Sequence, residues 1–129
     1  HPNIQIFKGG NATQIYNQSK IIVVDRLDAS SVGNILVKNQ PLIIYCDRSF
    51  YSVKPKYAHI IEIMNMAGIL HFNQFSAAEF INENYDNPTE WWNNDLVQEA
   101  RRKYINKFAR HCDNYTEIWA DTINDEYSL

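Results

Sequence analysis

Two stretches of this sequence, Ile21–Val24 and Leu42–Tyr45, are apolar at every position rather than at every second one. A strand with one wet face alternates, so an unbroken β-branched run marks a strand buried on both faces. In practice that means a parallel sheet with helices on either side. A third short segment, Ile69–Phe72, and a fourth at Ile4, Ile6 and Phe7 complete the strand candidates.

The segments between them carry helix signals. Asn11 offers a side-chain oxygen to cap a helix from Ala12 to Ser19, and Ser30 or Ser31 does the same for a helix through Lys38, with Val32, Ile35 and Leu36 inward. Tyr57, Ile60, Ile61, Met64 and Ala67 recur at helical spacing over Pro55–Ala67, and Gly68 supplies a left-handed cap. Ser76–Glu79 has the capping-box pattern for a helix to Tyr85; Pro88 then breaks the chain before helices near Asp95–Arg110 and Tyr115–Asn124. The order predicts an α/β, doubly wound, mostly parallel sheet of about four strands. Residues 1–129 read as one Rossmann-like domain, with 1–72 forming the sheet and 73–129 a helical C-terminal tail.

At 129 residues, with a formal net charge of −3, the chain has no general attraction for phosphate backbones, so nucleic acid is an unfavoured partner. Its longest apolar runs fall far below the roughly 20 residues needed to span a bilayer, so no transmembrane segment is expected. Two cysteines make no disulfide framework, which favours a reducing cytoplasm. The start at His1-Pro2, without Met or a basic-then-apolar leader, leads to the expectation that the natural start has been removed or lies upstream.

In open parallel sheets, ligands sit beyond the carboxyl ends of the strands. Three loops qualify by position: Lys8–Asn11, Asp25–Ser31 and Cys46–Lys54. Ser30 and Ser31 bring two hydroxyls to a helix N-terminus, where free amides and the helix dipole favour an anion; simple capping by one of them is the competing role. Asn34 lies one turn further on the same rim. Gly9 and Gly10 form a turn without the GxGxxG spacing, and Arg48 adds a positive charge after the second buried strand. Cys46 invites comparison with rhodanese-like or phosphatase thiol enzymes. Their phosphate-cradling loop needs an arginine about six residues on, however, and Ser52 stands there. His1, His59, His71 and His111 lack metal-ligand spacing, so no metal is expected. Trp91 and Trp92 place much aromatic area in the tail, either against its own sheet or for another domain.

Several blocks then agree in order with a known family. Ser30-Ser31-Val32-Gly33-Asn34-Ile35-Leu36 followed by Asn39-Gln40-Pro41, Ala67-Gly68-Ile69-Leu70-His71, Ser76-Ala77-Ala78, and Trp91-Trp92-Asn93 with Val97-Gln98-Glu99-Ala100-Arg101 are its motifs. On them, the stretch from Val24 to Leu129 resembles the C-terminal part of the LIC12162-family transferases, associated with bacterial surface carbohydrate biosynthesis and related to GT-B glycosyltransferases. The tryptophan pair with the VQxxR helix is the most specific element.

The resemblance implies the Rossmann-like, nucleotide-sugar-binding half of a GT-B enzyme, with the donor as substrate and no cofactor. Ser30 and Ser31 would contact the diphosphate, aided by Gly9, Gly10 and Arg48. Asn34 stands where an acidic residue commonly contacts the donor ribose. The general base and the carbohydrate acceptor site are expected in a preceding N-terminal domain, packed against this one through Trp91 and Trp92. The isolated chain is then expected to be inactive, and its place is the cytoplasm or the inner membrane surface. The uncharged Asn34 keeps open a non-catalytic interaction domain that retains the fold without donor binding.

Overall fold

The computed structural model describes residues 4–110 and 112–127. The elements follow the order α1 (Ala12–Gln18), β1 (Ile22–Val24), α2 (Ser30–Val37), β2 (Leu42–Tyr45), 3-10 turns at Arg48–Phe50 and Pro55–Tyr57, α3 (Ala58–Met66), β3 (Leu70–His71), α4 (Gln74–Asn84), α5 (Pro88–Trp92), α6 (Asp95–Phe108) and α7 (Tyr115–Tyr127). The three strands pair in parallel in the order β1-β2-β3, with Ile22 opposite Leu42, Val24 opposite Ile44, and Ile44 opposite Leu70. The arrangement is α/β and Rossmann-like in its parallel β-α-β succession.

Because successive strand residues point to opposite faces, each register pair assigns a face. Ile22, Leu42, Ile44 and Leu70 join the core with Val32, Ile35 and Leu36 of α2, Ile60, Ile61 and Met64 of α3, and Val97, Ala100 and Tyr104 of α6. On the other face, α4 packs against β2 and β3: the Tyr45 hydroxyl donates to Gln74 Oε1 at 3.1 Å, and the His71 and Phe80 rings lie 5.2 Å apart. That cover stops short of β1, where Val23 is 53% exposed.

Three expectations change. Ile4–Phe7 is not a fourth strand: it has no ladder partner among the described residues, and Ile4, Ile6 and Phe7 are all exposed. With three strands and one outer face part-covered, the sheet is smaller than a full doubly wound half. The cap of α2 is Ala29, which has no side chain to bond with, so Ser30 and Ser31 are the first two helical residues. The helix predicted to open at Ser76 begins at Gln74, because Asn73 Oδ1 accepts from Phe75 N at 2.7 Å, while the Ser76 hydroxyl turns back to Asn73 O.

The tail is tied to the sheet by polar bonds at helix ends. Arg101 of α6 donates through Nε to Leu36 O at 2.6 Å, an oxygen that also accepts from Asn39 N at 3.1 Å, and through Nη2 to Val37 O at 3.3 Å, at the end of α2. Trp92 Nε1 donates to Asn39 Oδ1 at 2.9 Å, Gln98 Nε2 reaches the same oxygen at 3.2 Å, and Trp91 Nε1 donates to Ala67 O at 2.8 Å. Both tryptophans make contacts within the chain: Trp92 is 3% exposed, and the half-buried Trp91 packs edge-on against it and Phe80. Gly33 lets α2 approach the end of α6, since a Cβ there would stand 2.9 Å from the Ala109 methyl.

Candidate functional site at the carboxyl edge of the sheet

The loops leaving β1 and β2 emerge side by side because their strands are paired in parallel. Between them lies a cleft of about 370 Å³ lined by Asp25, Arg26, Asp28, Cys46, Asp47 and Phe50. Arg26 is committed to Asp28 through two bonds, at 3.0 and 2.9 Å, which hold the Asp28 carboxyl below its ordinary range and raise the guanidinium. Asp47 accepts from both the amide and the hydroxyl of Ser49 at 2.8 Å, and these bonds lower its pKa. The cleft therefore carries more negative than positive charge.

Cys46 sits buried at its base, Sγ 3.5 Å from Asp47 O. A nucleophilic thiolate needs an electropositive, accessible setting. Three aspartates in the lining supply the opposite, which removes the thiol-enzyme reading.

On the other side of the same loop, a cavity of about 450 Å³ opens between the β2 exit and α3, with Arg48, Tyr51, Ser52, Glu62, Asn65 and Phe72 among its walls. The Asp47–Ser49 turn fixes the backbone that carries Arg48, whose guanidinium lies 4.3 Å from the Phe72 ring centre. Tyr51 stacks on Phe72 at 5.7 Å and 12°. A third, more apolar cleft of about 270 Å³ shares Asp28 and Phe50 with the first and Tyr51 and Ser52 with the second. The three form one trough along the carboxyl edge.

The residues singled out from sequence are distributed unevenly along this edge. Ser30 and Ser31 open α2 beyond β1, Ser30 exposed and Ser31 half-buried, and no side chain caps the helix. Neither serine lines the three clefts. Asn34 is exposed on α2. Gly9 and Gly10 form an exposed left-handed turn with nothing near their α-carbons' open side. Arg48 faces the β2–α3 cavity instead of joining the serines. His59 is exposed; His71 is buried, with Nε2 3.0 Å from Gly68 O and Nδ1 3.2 Å from Ser76 Oγ, and burial lowers its pKa. His1 and His111 lie outside the described residues. Glu62, Tyr51 and Phe72 were not anticipated; Glu62 sits on the wet side of α3 in the sequence pattern and carries no signal until β2 and α3 are placed together.

The model of the LIC12162 family transferases matches residues 1–123. The chain belongs to the LIC12162 transferase family. The match begins before Val24, so the membership takes in α1 and β1 as well as the blocks named above. No curated protein and no solved structure is significantly similar to this LIC12162 transferase chain. Among its described residues no helix is long and apolar enough to cross a membrane.

Proposed function

We propose that this chain is the donor-binding part of a GT-B-like glycosyltransferase, holding a nucleotide-sugar by its diphosphate in bacterial surface carbohydrate biosynthesis. Membership of a transferase family supports group transfer as the reaction class. The observation that carries the finer reading is the start of α2: a helix N-terminus beyond the carboxyl end of β1, without a side-chain cap, with Ser30 and Ser31 as its first residues. Uncapped amides and the positive end of the dipole are an anion site, and they act on the charge that develops as a nucleoside diphosphate leaves its sugar.

In this reading Ser30 and Ser31 bond the phosphates and Asn34 reaches the ribose as an uncharged donor and acceptor. No metal is called on for the charge. The base that activates the acceptor hydroxyl comes from a preceding domain, and the protein works in the cytoplasm or at the inner membrane surface. A second reading, a non-catalytic interaction domain, is favoured by the neutral Asn34 and by the acidic character of the neighbouring cleft.

Calorimetry with uridine, guanosine and cytidine diphosphates tests the choice. Ser30→Asp places a carboxylate in the first turn, which favours the helix by about 0.3–1 kcal/mol but repels a phosphate. Saturable binding by the parent chain, lost in a Ser30→Asp variant of equal or higher stability, supports the donor site. Absence of binding at millimolar nucleotide leaves the interaction domain.

A further inference from the structure

The cavity between the β2 exit and α3 takes Arg48 away from the start of α2, and neither Ser30, Ser31 nor Asn34 lines it. Among the described residues the ion pairs are Arg26–Asp28 and Lys103–Glu99, so Arg48 and Glu62 pair neither with each other nor with another charged side chain. They nevertheless line one cavity of about 450 Å³, a size typical of small-molecule pockets. The Arg48 guanidinium lies over Phe72, which is itself stacked on Tyr51, a contact that biases it toward the cavity before any ligand arrives. Asn65 is steadied: its Nδ2 donates to Leu70 O at 2.7 Å, which leaves Oδ1 as an acceptor.

The lining thus offers one cationic donor, two acceptors in Glu62 and Asn65, a Ser52 hydroxyl and aromatic walls. We propose that this cavity binds a small hydroxylated acid of the sugar-acid type, its carboxylate on Arg48 and its hydroxyls on Glu62 and Asn65 Oδ1. A neutral sugar leaves Arg48 unanswered, and a simple dicarboxylate leaves Glu62 facing a like charge. A ring with an acid at one end and hydroxyls at the other answers both, and its apolar face suits the Tyr51 and Phe72 side.

Two-dimensional amide NMR titration of the intact chain with glucuronate, glucose and glycine is the test. Saturable shifts at Ser52, Glu62 and Asn65 are expected with glucuronate, with glucose about tenfold weaker or more. Arg48→Gln, at an exposed position, is expected to weaken glucuronate about tenfold, whereas Ser30→Asp, outside this cavity, leaves glucuronate binding as in the parent. Glu62→Gln keeps an acceptor oxygen and is expected to cost only a few-fold. Glucose binding as well as glucuronate, indifference to Arg48→Gln, or no saturable shift at millimolar glucuronate would each overturn the proposal. Glycine binding more tightly than glucuronate, with loss in Glu62→Gln, would replace the hydroxyl partner by an ammonium and refute the sugar-acid assignment.

Discussion

Gly68 joins α3 to β3 in a left-handed conformation, φ +73°, and a Cβ there would stand 2.7 Å from Phe80 Cε2 and closer still to Cζ. Gly68→Ala therefore meets two separate penalties. The left-handed backbone costs a residue with a Cβ about 1–2 kcal/mol. The clash adds about 1–3 kcal/mol if Phe80 is unable to swing away. Phe80 is held by Trp91, edge-on at 5.1 Å, and by His71 at 5.2 Å, so moving it disturbs the bond from Trp91 to Ala67 as well. The sum, roughly 2–5 kcal/mol, is a large part of the 5–15 kcal/mol typical of a domain.

A double-mutant cycle separates the two penalties. Phe80→Ala empties the space, so Gly68→Ala in that background retains only the backbone cost of about 1–2 kcal/mol. Urea unfolding followed by tryptophan fluorescence reads both, since a loss of 2–5 kcal/mol with a slope near 2 kcal/mol/M moves the midpoint by roughly 1–2.5 M. Equal costs for Gly68→Ala with and without Phe80 would refute the steric argument. A cost below about 1 kcal/mol in the parent would refute the backbone argument too.

Arg101→Met keeps the apolar stem but withdraws the donors from Leu36 O and Val37 O; a loss of about 2 kcal/mol in urea unfolding is expected, and Arg101→Lys does not restore it because an ammonium lacks the planar fork. His71 has a folded pKa below its ordinary 6.5, chiefly through burial, with the Gly68 carbonyl opposing. Between the folded pKa and 6.5 the unfolded chain therefore binds more protons, so stability is complete above about pH 6.5 and falls on acidification through the folded value. Thermal melts from pH 8 downward should show this fall, and His71→Gln should remove that component; a profile unchanged by the substitution would show that His71 does not cause it.

The sheet was readable because its signal is local. Leu42–Tyr45 is an unbroken apolar run because the central strand is buried on both faces; Ile21–Val24 has the same composition, yet its outer face is left open at Val23, so there the run marks the strand but not double burial. Asn11 and Gly68 were readable for the same reason, each acting on its nearest neighbours. The errors arise where two local signals compete or a distant partner decides. Asn73 and Ser76 both cap helices, and the choice turned on the Ser76 hydroxyl facing Asn73 O and the His71 ring. Ile4–Phe7 has a strand's composition but lacks a neighbouring strand. At the site, Arg48 was singled out for its charge beside Cys46, yet its neighbours Glu62 and Phe72 are brought to it by α3 and β3.

The same contrast bears on what the family motifs mean. Ala67-Gly68-Ile69-Leu70-His71 supplies the acceptor for Trp91, the turn against Phe80 and the partner for the His71 ring. Trp91-Trp92 and Val97-Gln98-Glu99-Ala100-Arg101 close α5 and α6 onto the end of α2 through Asn39, Leu36 and Val37. These blocks hold the tail on the sheet, and they lie away from the cavities at the carboxyl edge apart from the route they fix for β3. A match carried by them therefore speaks first for a shared scaffold. The chemistry of an individual member rests on the residues that the scaffold leaves free at the carboxyl edge, here the open start of α2 beside the trough and the Arg48–Glu62 cavity within it, and those are the positions at which substitution should change ligand choice without changing the fold.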